Sequence, residues 1–282
     1  MAAIDIKNLS YFYSGVPRRA LSGLTMSVEK GEFVVLTGPS GCGKTTLCRC
    51  LNGLIPHFYG GRMKGKVEVA GLDVKKHPIS VLAQHVGLVF QNPENQLFAL
   101  SVEKDVAFGL ENLGLSREEI RSQVDWALEM TGILDLRDSA PFELSGGQQQ
   151  RTSIASVLAM RPEIVVFDEP TSFLDPLSAR EIFEVISTIN KELQITIIIV
   201  EHRLDLASLF ADRVIVLDNG EIMMDGSPRE VFAREEARLV GVGIPKVSRL
   251  FQMLQDEGIP VSKFPVSISE AADEVRSLMR ND

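Results

Sequence analysis

The chain has 282 residues, of which 45% are hydrophobic and 24% charged, and 29 basic against 38 acidic side chains give a formal net charge of −9. This composition allows a folded core and excludes a chain that is disordered throughout. The acidic balance argues against nucleic acid as the main partner and against attachment to an anionic membrane surface by charge alone.

The expected environment of the chain follows from its apolar runs and its cysteines. No apolar run approaches the ~18–20 residues of a membrane-spanning helix, and the first five residues, MAAID, lack the features of a secretory signal. The three cysteines cannot form a disulfide framework, and their odd number is typical of a reducing compartment. We therefore expect a soluble, intracellular globular protein.

The first ninety residues predict strands around one helix. Apolar residues at 4, 6 and 9 lead into an aromatic cluster at 11–13, and residues 24–28 alternate between apolar and small or polar types, which is typical of a strand. The runs 33–36, 67–69 and 86–90 are also of strand length. A glycine-rich loop follows the run 33–36, and a helical pattern then extends from Lys44 to about Leu54.

Residues from about 100 to 160 predict helices, one of which opens with a capping box from Ser116 to Glu119. Strand-like runs return at 164–167, 195–200 and 214–217. A helix lies between the first two of these runs, with Asp175 as its N-cap and Pro176 at its first position. This alternation predicts a mainly parallel sheet flanked by helices, into which the block 100–160 is inserted.

The last stretch, residues 235–282, follows a different pattern. Val247, Leu250, Phe251 and Leu254 have the spacing of one helical face, and a capping sequence at 267–270 predicts another helix. About fifty residues are too few for an independent core. We therefore expect this tail to dock on its own domain or on a partner.

The strongest local motif fits the pattern GxxxxGK[ST] and lies directly between a predicted strand and a predicted helix. Its glycines let successive backbone N–H groups point at phosphate oxygens. Lys44 is placed to reach the β- and γ-phosphates, and the Thr45 hydroxyl is placed to hold Mg²⁺. An ordinary glycine-rich turn explains the full pattern less well. The predicted nucleotide-binding residues of this loop are Gly38, Pro39, Ser40, Gly41, Cys42, Gly43, Lys44, Thr45 and Thr46.

An apolar strand at 164–167 ends in two acids, Asp168 and Glu169. The first acid is placed to hold Mg²⁺ through water, as Walker B carboxylates do, and the second to polarise a water towards the γ-phosphate. A buried strand followed by a solvated acidic loop is the alternative. The phosphate loop earlier in the chain weakens that alternative.

Between these two motifs lies the sequence LSGGQ, with Ser145, Gly146, Gly147 and Gln148, at the start of a predicted helix. A serine hydroxyl and two glycine amides at a helix N-terminus form a second anion site, which a single nucleotide does not need. With the two flanking motifs in this order, residues from about 3 to 234 resemble the ATP-binding cassette (ABC) family. The resemblance implies an α/β P-loop NTPase cassette with a mainly parallel core sheet, an N-terminal antiparallel β-subdomain, a helical insertion and a small C-terminal extension.

The resemblance also implies a division of the chain and a mode of assembly. Residues 1–234 are expected to form the ATPase domain, with a helical subdomain at about 100–160, and residues 235–282 an extension for dimerisation or docking. In this family two cassettes face each other head to tail, so that LSGGQ of one contacts the γ-phosphate held by the other. That arrangement accounts for the second anion site.

Three further residues match family motifs. Gln91 matches the Q-loop glutamine, which reaches Mg²⁺ and the attacking water and faces the membrane partner. His202 matches the switch histidine that contacts the γ-phosphate. Asp175 matches the D-loop at the nucleotide, although Phe173 stands where a small residue is commoner. The resemblance therefore implies Glu169, His202 and Gln91 as catalytic residues.

An aromatic residue stacks on adenine in this family, and Tyr13 matches its position. Tyr11 and Phe12 are competing candidates within the same cluster. For an isolated aromatic cluster, packing in the core would be the better interpretation. The sequence leaves open which of the three rings reaches the nucleotide.

A narrower resemblance lies at 90–98, where FQNPENQLF looks like the FQNPDDQLF-type segment of energy-coupling factor ATPases, the cobalt, nickel and vitamin importers. Residues 243–254 resemble their C-terminal extension, which helps to hold two ATPases together. This resemblance implies ATP and Mg²⁺ as cofactors and a second ABC ATPase, identical or related, as a partner. It further implies an integral membrane permease, a separate substrate-binding membrane subunit, no nucleic acid, and a peripheral location on the cytoplasmic face of the cell membrane.

Two other classes of protein compete with this interpretation. A soluble ABC protein of translation usually carries two cassettes in one chain, and one of DNA repair interrupts the cassette with long coiled coils, whereas no heptad tract lies between Lys44 and Ser145. A P-loop kinase would leave LSGGQ, Gln91 and His202 without roles. We therefore expect a transporter ATPase.

Overall fold

The computed structural model describes residues 2–261 and 263–279. Within these residues the strands are β1 (Ala2–Tyr13), β2 (Leu21–Glu29), β3 (Phe33–Thr37), β4 (Gly61–Val69), β5 (Leu72–Asp73), β6 (Val86–Val89), β7 (Ile164–Asp168), β8 (Thr196–Val200), β9 (Arg213–Asp218) and β10 (Glu221–Gly226). The α-helices are α1 (Lys44–Leu51), α2 (Leu54–His57), α3 (Ile79–Leu82), α4 (Val102–Asn112), α5 (Arg117–Met130), α6 (Gly146–Leu158), α7 (Pro176–Leu193), α8 (Leu204–Ala207), α9 (Pro228–Ala233), α10 (Glu235–Leu239), α11 (Lys246–Asp256) and α12 (Ile268–Leu278).

The core is a six-stranded sheet with the order β10-β9-β3-β8-β7-β6. All its pairings are parallel except that of β10 with β9 at one edge. Every residue of β3 and β8 is buried, which is why these strands are continuous apolar runs rather than alternating ones. Parallel strands end at a common edge, so the sheet brings together the segments that follow β3, β6, β7 and β8.

A second sheet has the order β2-β1-β4-β5 and is antiparallel throughout. Its long central strand β1 places Tyr13 opposite Gly61 at its end. Apolar residues of this sheet, including Ile4 and Val67, share one buried cluster with Leu47 and Leu51 of α1. The predicted N-terminal antiparallel β-subdomain is confirmed, and it packs on the helix that follows the phosphate loop.

The inserted helices α4, α5 and α6 have their own apolar cluster, which includes Leu110 of α4, Leu128 of α5, and Ala155 of α6. The capping box predicted at Ser116 is present at the start of α5. Helix α6 also contributes to the cluster beneath the core sheet through Ile154 and its neighbours. It therefore joins the inserted helices to the sheet.

The helix predicted from Lys44 to about Leu54 ends earlier than expected, at Leu51. The reason is Gly53, which has a left-handed φ of 79° and lies so close to α3 that a Cβ there would be 2.3 Å from Leu82 Cδ1. The chain turns at this glycine and starts the short helix α2.

The C-terminal stretch forms α11 and α12, and Ser267 caps α12 as predicted. The predicted apolar face of α11 is confirmed at Phe251, which is fully buried, but not at Leu250, which is 49% exposed. The other two buried residues of this helix are polar, Ser248 and Gln252. The amide of Gln252 donates to the carbonyl of Phe232 at 2.9 Å, so a polar contact with the end of α9 sets the orientation of α11. Among the described residues, none of the helices combines the length and the apolar character that a bilayer span requires.

Candidate functional site

The glycine-rich loop lies between β3 and α1 and needs its glycines for two reasons. Gly38 and Gly43 have φ values of 144° and 116°, which other residues rarely adopt. A Cβ would lie 2.0 Å from the carbonyl oxygen of Leu217 at Gly38, and 2.6 Å from that of Ala20 at Gly43. The loop can therefore follow this path only with glycine at both positions.

Lys44 folds back over the loop that precedes it. Its ammonium Nζ donates to the carbonyl oxygens of Gly38 at 2.8 Å and of Pro39 at 3.0 Å, and the residue is only 6% exposed. These carbonyl oxygens are neutral, whereas phosphate oxygens carry negative charge and therefore attract the ammonium more strongly by Coulomb interaction. The buried ammonium is thus positioned to exchange a carbonyl for a phosphate.

Thr45 and Asp168 meet at the edge of the sheet, where the hydroxyl of Thr45 donates to Oδ1 of Asp168 at 3.2 Å. Burial raises the pKa of the Asp168 carboxyl above its ordinary value, and the Thr45 hydrogen bond acts in the opposite direction. A hydroxyl and a carboxylate are the hard oxygen ligands that Mg²⁺ prefers, and they converge here from two different elements. These two residues therefore fit a magnesium ion.

The carboxylate of Glu169 contacts the other two predicted catalytic residues, Gln91 and His202. Its Oε2 accepts hydrogen bonds from the amide of Gln91 and the hydroxyl of Ser172, both at 2.9 Å, and its Oε1 lies 3.1 Å from Nε2 of His202. Glu169 has a left-handed φ of 53°, which is uncommon outside glycine and directs the chain away from β7. The fold thus brings together Gln91, Glu169 and His202 from three separate strand ends.

The three aromatic candidates occupy different environments. Tyr11 is completely buried, and its hydroxyl donates to the carbonyl of Gly60 at 2.8 Å. The guanidinium of Arg19 lies over the ring of Phe12, at 5.5 Å from its centroid. Among these three side chains, the one that hydrogen-bonds to the helix after the phosphate loop is Tyr13, whose hydroxyl lies 3.1 Å from Oγ1 of Thr46. The Tyr13 ring therefore lies beside the first turn of α1, directly after the glycine-rich loop.

The LSGGQ segment caps the N-terminus of α6. The hydroxyl of Ser145 accepts from the N–H of Gln148, and the Gln148 amide oxygen accepts in turn from the N–H of Ser145 at 2.9 Å. Ser145 and Gly146 are exposed, and Gly147 is partly buried. The positive end of this 13-residue helix is thus directed at solvent, where an anion can approach it.

Asp175 caps α7 as predicted and is exposed. It accepts from the N–H groups of Leu177 at 2.9 Å and of Ser178 at 3.1 Å, and the hydroxyl of Ser178 holds the pKa of the carboxyl below its ordinary value. Phe173, in the same loop, is 72% exposed. The loop therefore presents an acid and an aromatic ring at the surface.

Three polar residues around this site were not predicted from the sequence to belong to it. Thr171 and Glu201 are both buried and hydrogen-bonded to each other across 30 positions of sequence, and Arg203 donates to the carbonyl of Leu174 at 2.6 Å. The sequence offered one indication that these residues belong to the site, which is that Glu201 directly precedes His202. Contacts of this kind depend on the pairing of β7 with β8, which brings the two segments together.

The phosphate loop, the acid pair at the end of β7 and the parallel sheet define a P-loop nucleoside triphosphatase. The family model for ABC transporters matches residues 21–172. This chain belongs to the ABC transporter family, as its ATP-binding, ATP-hydrolysing subunit.

Curated relatives agree with the family. A protein of Pyrococcus abyssi, provisionally named an ABC transporter ATP-binding protein, is 44% identical over 280 residues, which is 98% of this chain and 100% of that protein. A protein of Methanosarcina mazei with the same provisional name is 46% identical over 255 residues, 90% of this chain. The match spans only 43% of the Methanosarcina protein. The relatives thus differ in length while sharing the cassette.

Solved structures give the same architecture. CbiO1 of Clostridium perfringens, described as part of the ABC transporter complex CbiONQ, is 38% identical with a TM-score of 0.76, covering 89% of this chain and 99% of that one. An ATP-binding cassette solved as a dimer in a post-hydrolysis state with ADP and phosphate is 28% identical with a TM-score of 0.69, covering 79% of this chain and 98% of that one. The predicted cassette fold is confirmed.

Proposed function

We propose that this chain powers the uptake of a small solute, a metal ion or a vitamin, through a membrane permease. The FQNPENQLF segment at 90–98 and the likeness to CbiO1, a component of the CbiONQ transporter complex, both support this assignment. In this proposal the chain is held at the cytoplasmic face of the membrane by its protein partners, and a separate membrane subunit selects the solute.

ATP is sandwiched between two cassettes in this proposal. The phosphate loop of one chain holds the triphosphate, and residues 145–148 of a second chain, identical or related, cover the γ-phosphate. The exposed N-terminus of α6 supports this arrangement, because its amides and dipole favour an anion while its own Ser145–Gln148 box leaves the outer face of the helix end open. Asp175 lies in the neighbouring loop and would contact the same composite site.

Hydrolysis in this site depends on charge and positioning. Glu169 accepts a proton from the attacking water, Gln91 orients that water, and His202 contacts the γ-phosphate. A magnesium ion held by Thr45, Asp168 and Gln91, when bound, would neutralise charge on the phosphates. The hydrogen bonds that join Gln91 and His202 to one carboxylate support the assignment of these three residues to a single reaction centre.

The observation that carries the transport proposal is an apolar groove that Gln96 and Phe98, both in the segment 90–98, help to line. The groove has a volume of about 310 Å³ and lies between the sheet edge and the inserted helices, with Phe98, Phe108 and Met160 in its wall. Phe98 and Phe108 are 65% and 46% exposed, and their rings pack edge to face at 4.7 Å. Exposed aromatic residues clustered around a groove favour a protein partner.

The same segment connects the groove to the reaction centre. The side-chain oxygen of Gln96 accepts from the N–H of Phe90 at 3.2 Å, so this hydrogen bond joins the two ends of the loop from 90 to 96. Gln91 lies within this loop and donates to Glu169. A helix of a membrane subunit seated in the groove would therefore act directly on the loop that orients the attacking water.

Replacing Phe98 with aspartate tests this proposal. Removal of an aromatic anchor from an interface costs about 2 kcal/mol or more, which is about 30-fold in affinity. We expect Phe98→Asp to lose most of its integral membrane partner when the tagged chain is purified from detergent-solubilised membranes. The purified variant alone should still bind ATP.

Phe58→Asp is the matched control, because Phe58 is 72% exposed but does not line the groove. It should retain the membrane partner. Recovery of the native chain with ribosomes or DNA, and with no integral membrane protein, would contradict the transport proposal.

The C-terminal extension is proposed to hold two such chains together. Leu250 and Met253 of α11 and Ile268 of α12 are 49%, 56% and 81% exposed, so both helices keep apolar side chains at the surface. Such side chains are more costly in water than in an interface. Residues 1–234 would then act as the ATPase domain and residues 235–282 as the docking element.

Replacing Tyr13 tests the assignment of the adenine-stacking ring. Stacking of a base on an aromatic side chain contributes about 1–3 kcal/mol by alanine substitution, so Tyr13→Ala should weaken ATP binding by about 5- to 150-fold. Tyr13→Phe should bind ATP nearly as the native chain does, since it keeps the ring. Titration calorimetry on all variants is the measurement, with Phe12→Ala as the control. A loss of affinity in Phe12→Ala but not in Tyr13→Ala would transfer the role to Phe12.

A further inference from the structure

Two hydrogen-bonded links join the segment after β8 to the segment after β7. The first link is Glu201, which is 1% exposed. Its carboxylate accepts from the hydroxyl of Thr171, from the N–H of His202 at 2.9 Å and from the N–H of Arg203 at 3.2 Å. A buried carboxylate with three donors fixes the turn that carries the histidine.

The second link is the side chain of Arg203, whose Nη2 donates to the carbonyl oxygen of Leu174 at 2.6 Å. That carbonyl belongs to the loop 172–175, here called the D-loop. The hydroxyl of Ser172, at the start of the D-loop, donates to Glu169 at 2.9 Å. The D-loop is therefore tied both to the carboxylate that meets the water and to the turn that carries His202.

These contacts form a closed ring through the reaction centre. From Glu169 the ring passes through Ser172 and Thr171 to Glu201, and it returns to Glu169 through His202. The His202 side chain itself is 45% exposed, so packing contributes little to its position. Its position relative to Glu169 depends mainly on the backbone turn that Glu201 holds.

We propose that Glu201 and Arg203 are positioning residues that connect His202 to the D-loop. A displacement of the D-loop then changes the position of the His202 side chain relative to the Glu169 carboxylate. This inference rests on the proposed roles of His202 and Glu169 in hydrolysis. The D-loop presents Phe173 and Asp175 at the surface, so a second chain that docks there would act on the histidine through these links. Neither positioning residue touches the nucleotide in this scheme.

Kinetic measurements on Thr171→Val, Glu201→Leu and Arg203→Met test the inference. A small displacement of a catalytic group costs up to about 100-fold in rate, so each variant should lose about 10- to 100-fold in kcat, with KM for ATP nearly unchanged. Thr171→Ser keeps the hydroxyl and should restore most of kcat. Because Thr171 and Glu201 act as one link, the double variant should lose no more than the more impaired single variant.

Thr131→Val is the matched control for Thr171→Val, because it also removes a buried, hydrogen-bonded hydroxyl. Thr131 is completely buried and its hydroxyl donates to the carbonyl of Ala127 at 2.8 Å, at the end of α5. This variant should lower the melting temperature without changing kcat. Should Thr171→Val fail to fold, Arg203→Met at its partly exposed position carries the test alone.

His202→Ala separates failure of this inference from failure of the proposed function. If His202→Ala hydrolyses ATP at the native rate, the proposed reaction centre is wrong and the inference falls with it. If His202→Ala is impaired but folded Thr171→Val, Glu201→Leu and Arg203→Met all turn over at the native rate, only the positioning role is overturned. A fall in kcat with an equal rise in KM would likewise overturn it, because the nucleotide site itself would then be disturbed.

Discussion

Replacing Glu169 with glutamine is expected to slow ATP hydrolysis by about 10²–10⁴-fold, the usual contribution of a general base, while ATP binding persists. Glutamine has nearly the same volume but cannot accept the proton of the attacking water. The phosphate loop and Lys44 are unchanged in this variant, so the triphosphate is still held. The two cassettes should close on ATP and fail to reopen, which traps a dimer.

Release of phosphate measures the rate, and size-exclusion chromatography with and without ATP measures the trapped dimer. Glu184→Gln is the control, because Glu184 is a surface carboxylate paired with Arg180 on α7 and lies away from the site. It should hydrolyse ATP as the native chain does. Near-normal turnover in Glu169→Gln would remove Glu169 as the base, and a monomer in the presence of ATP would contradict the sandwich.

The parts of the site that could be predicted from sequence are those in which all the residues needed for one function lie within one short segment. The loop from Gly38 to Thr45 needs glycines for its backbone path and a lysine for charge, and both requirements are local. The acid pair at 168–169 follows directly from a buried strand. These motifs also fix the order of strands and helices, so the parallel sheet was predictable as well.

The contacts that could not be predicted join segments distant in sequence. From sequence alone, Thr171 and Glu201 are indistinguishable from an unremarkable threonine and a surface acid. Their hydrogen bond forms because β7 pairs with β8. The prediction for α11 was wrong at one position for a similar reason. Its apolar spacing favoured Phe251 and Leu250 as buried residues, and Phe251 is buried, but the polar contact of Gln252 with Phe232 is made on the side away from Leu250, which stays exposed. Periodicity measures the preference for burial and contains no information on tertiary hydrogen bonds.

The acidic balance of the chain is compatible with an anionic ligand because the charges that matter are local. ATP would meet backbone amides, a helix N-terminus and one buried ammonium, and none of these contributions depends on the net charge of −9. The net negative charge disfavours attachment to an anionic membrane surface by charge alone. In the proposed function a protein partner in the groove lined by Phe98 and Phe108 provides the association with the membrane.

Replacing Lys44 with methionine should have the largest effect on nucleotide binding. Truncation of one partner in a buried, hydrogen-bonded charge pair costs about 2–5 kcal/mol, which corresponds to about 30- to 5,000-fold in affinity for ATP. Methionine keeps most of the aliphatic stem that is buried in the loop, so the fold of the loop should be retained. Binding titrations with ATP and ADP are the measurement, and both nucleotides should bind more weakly.

The comparison of Lys44→Met with Glu169→Gln separates binding from chemistry. Lys191→Met is the control for loss of one positive charge, because Lys191 is exposed near the end of α7, and its affinity for ATP should be unchanged. The Lys44 variant should lose both binding and ATP-dependent dimerisation, whereas the Glu169 variant should lose hydrolysis alone. Native ATP affinity in a folded Lys44→Met variant would show that the amides of the loop hold the triphosphate without the ammonium, and the role given to Lys44 would then be wrong.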